Sequence, residues 1–248
     1  MTIRAILFDL DDTLIDWSGF EGNWYEIEPR HLRYVYDYIT QQIGPMRVNF
    51  EGFSEEFNRR SREGWRIARE TMVSPHIGHL LMDTAAWLGA PRDRLHLDAV
   101  VDAYRWSVVP GTIPFPDAYR VLFALREAGL ELGLITNSYL PMRMRDAELR
   151  AHNLLDFFQP HRYSAADIGY LKPHANIFNE VLDRMGVDVD EAVFVGDSLS
   201  ADIVGAKNVG MRAVWRMHHV SSTVPDVSLR PDFVVRTLDE LLTVLKNL

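Results

Sequence analysis

The sequence predicts an α/β protein: a Rossmann-like parallel sheet core with an inserted all-helical cap domain. Three observations carry that reading. Short apolar runs of buried-strand type alternate with amphipathic helices towards both ends of the chain. The long internal stretch 17–109 has helical periodicity and few strand-like runs. Three of the apolar runs stop abruptly in polar side chains, as parallel strands do at a binding edge.

In chain order, Ala5-Ile6-Leu7-Phe8 reads as the first buried strand. Helices are then expected over Glu28 to Gln42, Ser54 to Met72, Pro75 to Leu88 and Pro91 to Val108. Ser74-Pro75 marks a helix start, and Gly89-Ala90-Pro91 a break between two helices. The crossing points between core and cap fall near Ile15-Asp16 and Pro110-Gly111. The expected division is therefore 1–16 and 110–248 for the core, and 17–109 for the cap.

Asp117 to Ala128 carries Val121, Leu122 and Leu125 on one face and stops at Gly129. Leu130 to Ile135 is a second strand. Pro173 to Met185 starts with proline in a first turn and stops at Gly186. Ala192 to Val195, Ala213 to Trp215 and Phe233 to Val235 are three further strands, and Thr237 with Glu240 spells a capping box for the last helix.

Composition bounds the function. The 248 residues are 47% hydrophobic and 25% charged, which suits a folded protein with a sizeable core. There is no cysteine, so disulfides and thiolate catalysis are excluded. A net charge of −9 with no basic block argues against a nucleic-acid partner. No apolar run approaches the roughly 18 residues of a membrane span, and the N-terminus lacks a signal-peptide pattern. A cytoplasmic location, with no membrane partner, is expected. Lysine occurs only at Lys172, Lys207 and Lys246, so each marks a place where a compact ammonium replaces the default arginine.

The polar strand ends are Asp9-Leu10-Asp11-Asp12-Thr13, Thr136-Asn137-Ser138 and Gly196-Asp197-Ser198, with Asp202 five residues beyond Asp197. Neighbouring parallel strands bring such ends to one edge. Clustered carboxylates repel and are tolerated around a hard cation, so Asp9, Asp11 and Asp197 are candidate Mg2+ ligands. Thr136 and Asn137 offer neutral donors, and Lys172 a positive charge at a helix start, all suited to phosphate oxygens. Asp202 reads equally as a helix cap alone or as a cap that also supports the cluster.

At these residues the chain resembles the haloacid dehalogenase-like hydrolase superfamily. Phe8-Asp9-Leu10-Asp11-Asp12-Thr13-Leu14, Thr136-Asn137-Ser138, Lys172-Pro173 and Gly196-Asp197-Ser198-Leu199-Ser200-Ala201-Asp202 are similar to its four motifs, in order. The resemblance implies a Mg2+-dependent phosphatase acting on a small phosphorylated metabolite. Asp9 is then the nucleophile that forms an aspartyl-phosphate, and Asp11 the general acid and base. The resemblance also implies a metal held by Asp9, the Asp11 backbone carbonyl and Asp197. Phosphate is bound by Thr136, the Asn137 backbone and Lys172, with Thr13, Ser198 and Asp202 in support. Burial and nearby negative charge are expected to keep a proton on Asp11. A sugar-phosphate mutase, a dehalogenase-type hydrolase and a non-catalytic binding member are the alternatives. Asp11 speaks against the dehalogenases, which lack that aspartate.

Other features have two readings. Arg59, Arg62, Arg66 and Arg69 form a helical stripe that reads as a solvated face with Glu55, Glu63 and Glu70, or as an anion-binding face. Trp17, Phe20, Trp24 and Tyr25 read as cap-to-core packing or as a pocket wall. His76 and His79 read as packed or exposed rather than as metal ligands. His218 and His219 fall in an expected loop.

Overall fold

A computed structural model describes residues 2–217 and 230–247, so His218 and His219 lie outside the described residues. The elements begin with β1 (Ala5–Phe8), β2 (Ile15–Asp16), α1 (Trp24–Tyr38), α2 (Phe50–Thr71), α3 (Ile77–Trp87), α4 (Leu97–Ala103) and β3 (Ile113–Pro114). They continue with α5 (Ala118–Glu127), β4 (Glu131–Thr136), α6 (Met142–Ala151), β5 (Arg162–Ser164), α7 (Ala165–Ile168) and α8 (Ala175–Met185). The last are β6 (Ala192–Gly196), α9 (Val204–Asn208), β7 (Arg212–Arg216), β8 (Phe233–Val235) and α10 (Leu238–Val244).

Six strands form one parallel sheet in the order β5-β4-β1-β6-β7-β8. Alternation along β1 splits the core into two layers. Ile6 and Phe8 pack with α5, α6 and α10 on one face, while Ala5 and Leu7 pack with α8 and α9 on the other. Burial on both faces is why these strands read as unbroken apolar runs.

The inserted helices have a core of their own, built on Leu32, Val35, Phe53, Phe57, Ile77, Leu81 and Tyr104, which also takes in Leu140 and Met144 from the sheet domain. The chain leaves and re-enters the sheet domain side by side, because β2 and β3 pair antiparallel through Ile15–Pro114 and Asp16–Ile113. Gly111 adopts φ +87° where its backbone runs against Gly19, a place with no room for a Cβ.

Three expectations change. The helix expected to run to Val108 is a short turn at Arg92–Arg94 followed by α4, and ends at Ala103. Arg105 is left-handed there, at φ 52°, and the Tyr104 ring stacks on His31 with centroids 4.9 Å apart. α8 begins at Ala175, after Pro173, with the His174 side chain accepting from the Asn176 N–H. Thr237 makes no side-chain cap; the carboxylate of Asp117 takes the N–H groups of Leu238 and Asp239 instead. α6 has no counterpart in the sequence reading. Its buried face carries Arg145 and Glu148 beside Met142 and Leu149, so charge interrupts the apolar period.

Candidate active site

Asp9, Asp11, Thr136, Asn137 and Asp197 converge at the carboxyl edge of β1, β4 and β6, where the sequence reading places them. Lys172 reaches them from the turn before α8. Its ammonium donates to Asp9 Oδ1 at 2.6 Å and to the Ile135 carbonyl at 2.8 Å, and lies 2.7 Å from Asp202 Oδ1. The two carboxylates hold Lys172 above its ordinary pKa against the effect of burial.

Oxygens of Asp9, Asp197 and Asp202 lie within 4.8 Å of one another. Burial, and then repulsion from Asp202 and Asp12, pushes Asp197 up to about 6. Burial is also what raises Asp9, opposed by Lys172. Three crowded carboxylates against one ammonium leave excess negative charge that a divalent cation would relieve, so the donor set fits a hard, oxygen-seeking metal ion.

Asp202 does not cap a helix. Ser198 does, accepting from the Ala201 N–H at 3.2 Å, while Asp202 Oδ2 accepts from the Ser198 N–H and Oδ1 faces Lys172. Gly196 is required beside it, because a Cβ there would collide with the Asp202 carboxylate. The Asn137 amide is fully engaged with the backbone of Lys172: its Oδ1 accepts from the Lys172 N–H and its Nδ2 donates to the Lys172 carbonyl. It braces the lysine, so the Asn137 side chain is committed to the Lys172 backbone. Thr13 is fully buried, and its hydroxyl has no hydrogen-bond partner among the described residues.

The carboxylate of Asp11 turns away from the acidic cluster. Trp17 Nε1 donates to Oδ1 at 2.8 Å and Thr136 Oγ1 to Oδ2 at 3.3 Å. Arg145 closes on it with two prongs, Nη2 to Oδ1 at 2.7 Å and Nη1 to Oδ2 at 3.0 Å, and its Nε donates to Glu148. Burial acts to raise Asp11, but the charge and hydrogen bonds of Arg145, with the Trp17 bond, more than offset it and hold the carboxyl below its ordinary value. This corrects the expectation of a retained proton, which lacked Arg145. The signal for Arg145 was its i,i+3 spacing from Glu148 and Met142, ahead of Leu149.

A cavity of about 290 Å³ opens beside Asp11, Asn137 and Ser138, walled by Trp17, Glu28, Tyr104, Trp106, Tyr139, Leu140 and Arg145. Trp17 is thus a pocket wall that also packs on the core. Of the arginine stripe, Arg59, Arg62, Arg66 and Arg69 are all exposed. Arg59 pairs with Glu56 instead of Glu55 and Glu63, and Arg66 with Glu63 as well as Glu70, which is the solvated-face reading with two changed pairs. His76 caps α3 by accepting from the Gly78 N–H.

The family model for haloacid dehalogenase-like hydrolases matches residues 3–210. The chain is 34% identical over 215 residues to a glyceraldehyde 3-phosphate phosphatase of Pyrococcus abyssi (strain GE5 / Orsay), covering 86% of this chain and 81% of that protein. It is 32% identical over 215 residues to a ribulose-1,5-bisphosphate 5-phosphatase of Halopiger xanaduensis (strain DSM 18323 / JCM 14033 / SH-6), covering 85% and 83%. Among solved structures it is similar to a 2-haloacid dehalogenase from Pseudomonas syringae pv. Tomato DC3000, with TM-score 0.63, 27% identity and 99% of each chain covered.

Proposed function

The chain belongs to the haloacid dehalogenase-like hydrolases, and we propose that it hydrolyses phosphate monoesters of a small metabolite with Asp9 as nucleophile. The observation that carries this reading is Asp9 Oδ1, held 2.6 Å from Lys172 within the cluster that includes Asp197 and Asp202. That is a carboxylate poised among groups able to receive a phosphoryl dianion.

Lys172 orients Asp9 and offsets charge on the transferring group, while Asp202 and Asn137 fix the lysine. On substrate binding the Thr136 hydroxyl turns its proton from Asp11 to a phosphoryl oxygen, and the Asn137 N–H is a second donor. The phosphorus–oxygen ester bond breaks as the bond to Asp9 forms. Asp11, a carboxylate beside Arg145 in the free enzyme, takes a proton from the phosphate monoanion as the substrate binds, passes it to the departing alkoxide, and then accepts one from the water that cleaves the aspartyl-phosphate. Arg145 stabilises the carboxylate left by the first transfer, the form required for the second. Mg2+ held by Asp9, Asp197 and the Asp11 backbone carbonyl would supply positive charge to the phosphoryl oxygens. Residues 17–109 serve as the cap that closes the site from water, in a cytoplasmic enzyme.

Phosphate release from a panel of sugar phosphates, phosphoglycolate and an aryl phosphate, with Mg2+ and with chelator, tests the reading. Chelator-sensitive release is expected. The Asp9→Asn variant should lose about 10³-fold or more in kcat and leave no acid-stable label on the protein from 32P-substrate. Retained turnover in that variant would sink the assignment.

A further inference from the structure

Glu28, early in α1, is one of two carboxylates in the cavity beside Asp11. The other, Asp11, is balanced by Arg145. Glu28 is half-buried, and no cation lies within ion-pair distance of it among the described residues. Its described partner is Tyr139, whose hydroxyl donates to Oε1 at 3.3 Å. Trp17, Tyr104, Trp106 and Tyr139 make the remaining walls largely aromatic. A partly desolvated carboxylate without a counter-ion, set among aromatic rings, is an acceptor for a cation. A cavity of about 290 Å³ admits only a small one.

Resting on the phosphatase reading above, we propose that the leaving group of the substrate carries a protonated amine, and that this ammonium pairs with Glu28 while the phosphate lies against Asp9. Glu28 is then a specificity-determining residue, carried by the inserted helices and oriented by a tyrosine of the phosphate-side loop. The substrate class is the phosphate esters of small amino-alcohols.

Two matched pairs test this, each exchanging only an ammonium for a hydroxyl: O-phosphoserine against 3-phosphoglycerate, and phosphoethanolamine against 2-hydroxyethyl phosphate. With the native protein, kcat/KM for the amine should exceed its partner by about ten-fold or more, expressed mainly in KM, as loss of a charge-assisted hydrogen bond would predict. Glu28→Gln should collapse the ratio within each pair to about two-fold or less. Tyr139→Phe, which frees the Glu28 carboxylate from its orienting bond, should lower it in the same direction. A native ratio near one, or a ratio untouched by Glu28→Gln, overturns the proposal. Turnover of p-nitrophenyl phosphate alongside such a ratio leaves the phosphatase reading standing. Silence on all five esters removes the phosphatase reading, and this inference with it.

Discussion

Arg145 grips Asp11 as a two-pronged ion pair, Nη2 to Oδ1 at 2.7 Å and Nη1 to Oδ2 at 3.0 Å, and hands its third donor to Glu148. The guanidinium thus joins the site residue Asp11 to a carboxylate inside α6. The Arg145 and Glu148 side chains are only 5% and 2% exposed, so neither can turn to water for a substitute partner. Arg145→Met should therefore destabilise the fold by about 3–5 kcal/mol by leaving Glu148 buried and unpaired, and Arg145→Met with Glu148→Gln should recover part of that loss. Urea denaturation of the two variants checks both statements. Equal stabilities for the single and double variants would contradict the pairing.

His31 sets a pH dependence of stability. It is buried, its Nδ1 lies 2.9 Å from the Tyr104 carbonyl, and its ring stacks on Tyr104. Burial lowers its pKa below the ordinary 6.5. The unfolded chain protonates first as pH falls, so the stabilisation is complete above pH 6.5 and is lost as pH drops through the lowered value. Denaturation midpoints between pH 7.5 and pH 5 should fall in the native protein, and less steeply in His31→Phe.

Metal binding should relax the crowding of Asp9, Asp197 and Asp202. Mg2+ at about 100 times its dissociation constant should stabilise the protein by about 2.7 kcal/mol. Excess chelator should reverse the gain, and Asp197→Asn should weaken it, because that change removes a carboxylate with no ion-pair partner among the described residues. Thermal melts titrated with Mg2+ read this out without any substrate. A gain of the same size and midpoint in Asp197→Asn would place the ion elsewhere.

The last helix separates a local cap from a distant one. Asp117 Oδ2 accepts from the Leu238 N–H at 2.7 Å and from the Asp239 N–H at 3.3 Å, while Thr237 makes no side-chain cap. Asp117→Ala should cost about 1–2 kcal/mol, and Thr237→Ala only a few tenths. Chemical denaturation of the two variants distinguishes them; the capping box read from the local sequence predicts the reverse order.

By itself the sequence determined five of the six sheet strands, because segments buried on both faces must be apolar throughout: Ala5–Phe8 and Ala192–Val195 are legible for that reason, whereas the edge strand β5, with Arg162 and Tyr163, is not. It also determined that the aspartates meet, since parallel strands end at one edge and Asp9 and Asp197 directly follow two of them. Tertiary structure decided what surrounds them. Arg145 lies on a helix whose buried face mixes charge with methionine and leucine, so its i,i+3 spacing from Met142 does not by itself single it out, and only docking against Asp11 turns the arginine inward. Asp117 caps a helix more than a hundred residues away, and Glu28 meets Tyr139 only because the inserted helices rest on the sheet domain. Pattern along the chain reports which residues leave water. Which charge ends beside which is a property of packing between segments, and it sets the electrostatics of Asp11 and the character of the cavity next to it.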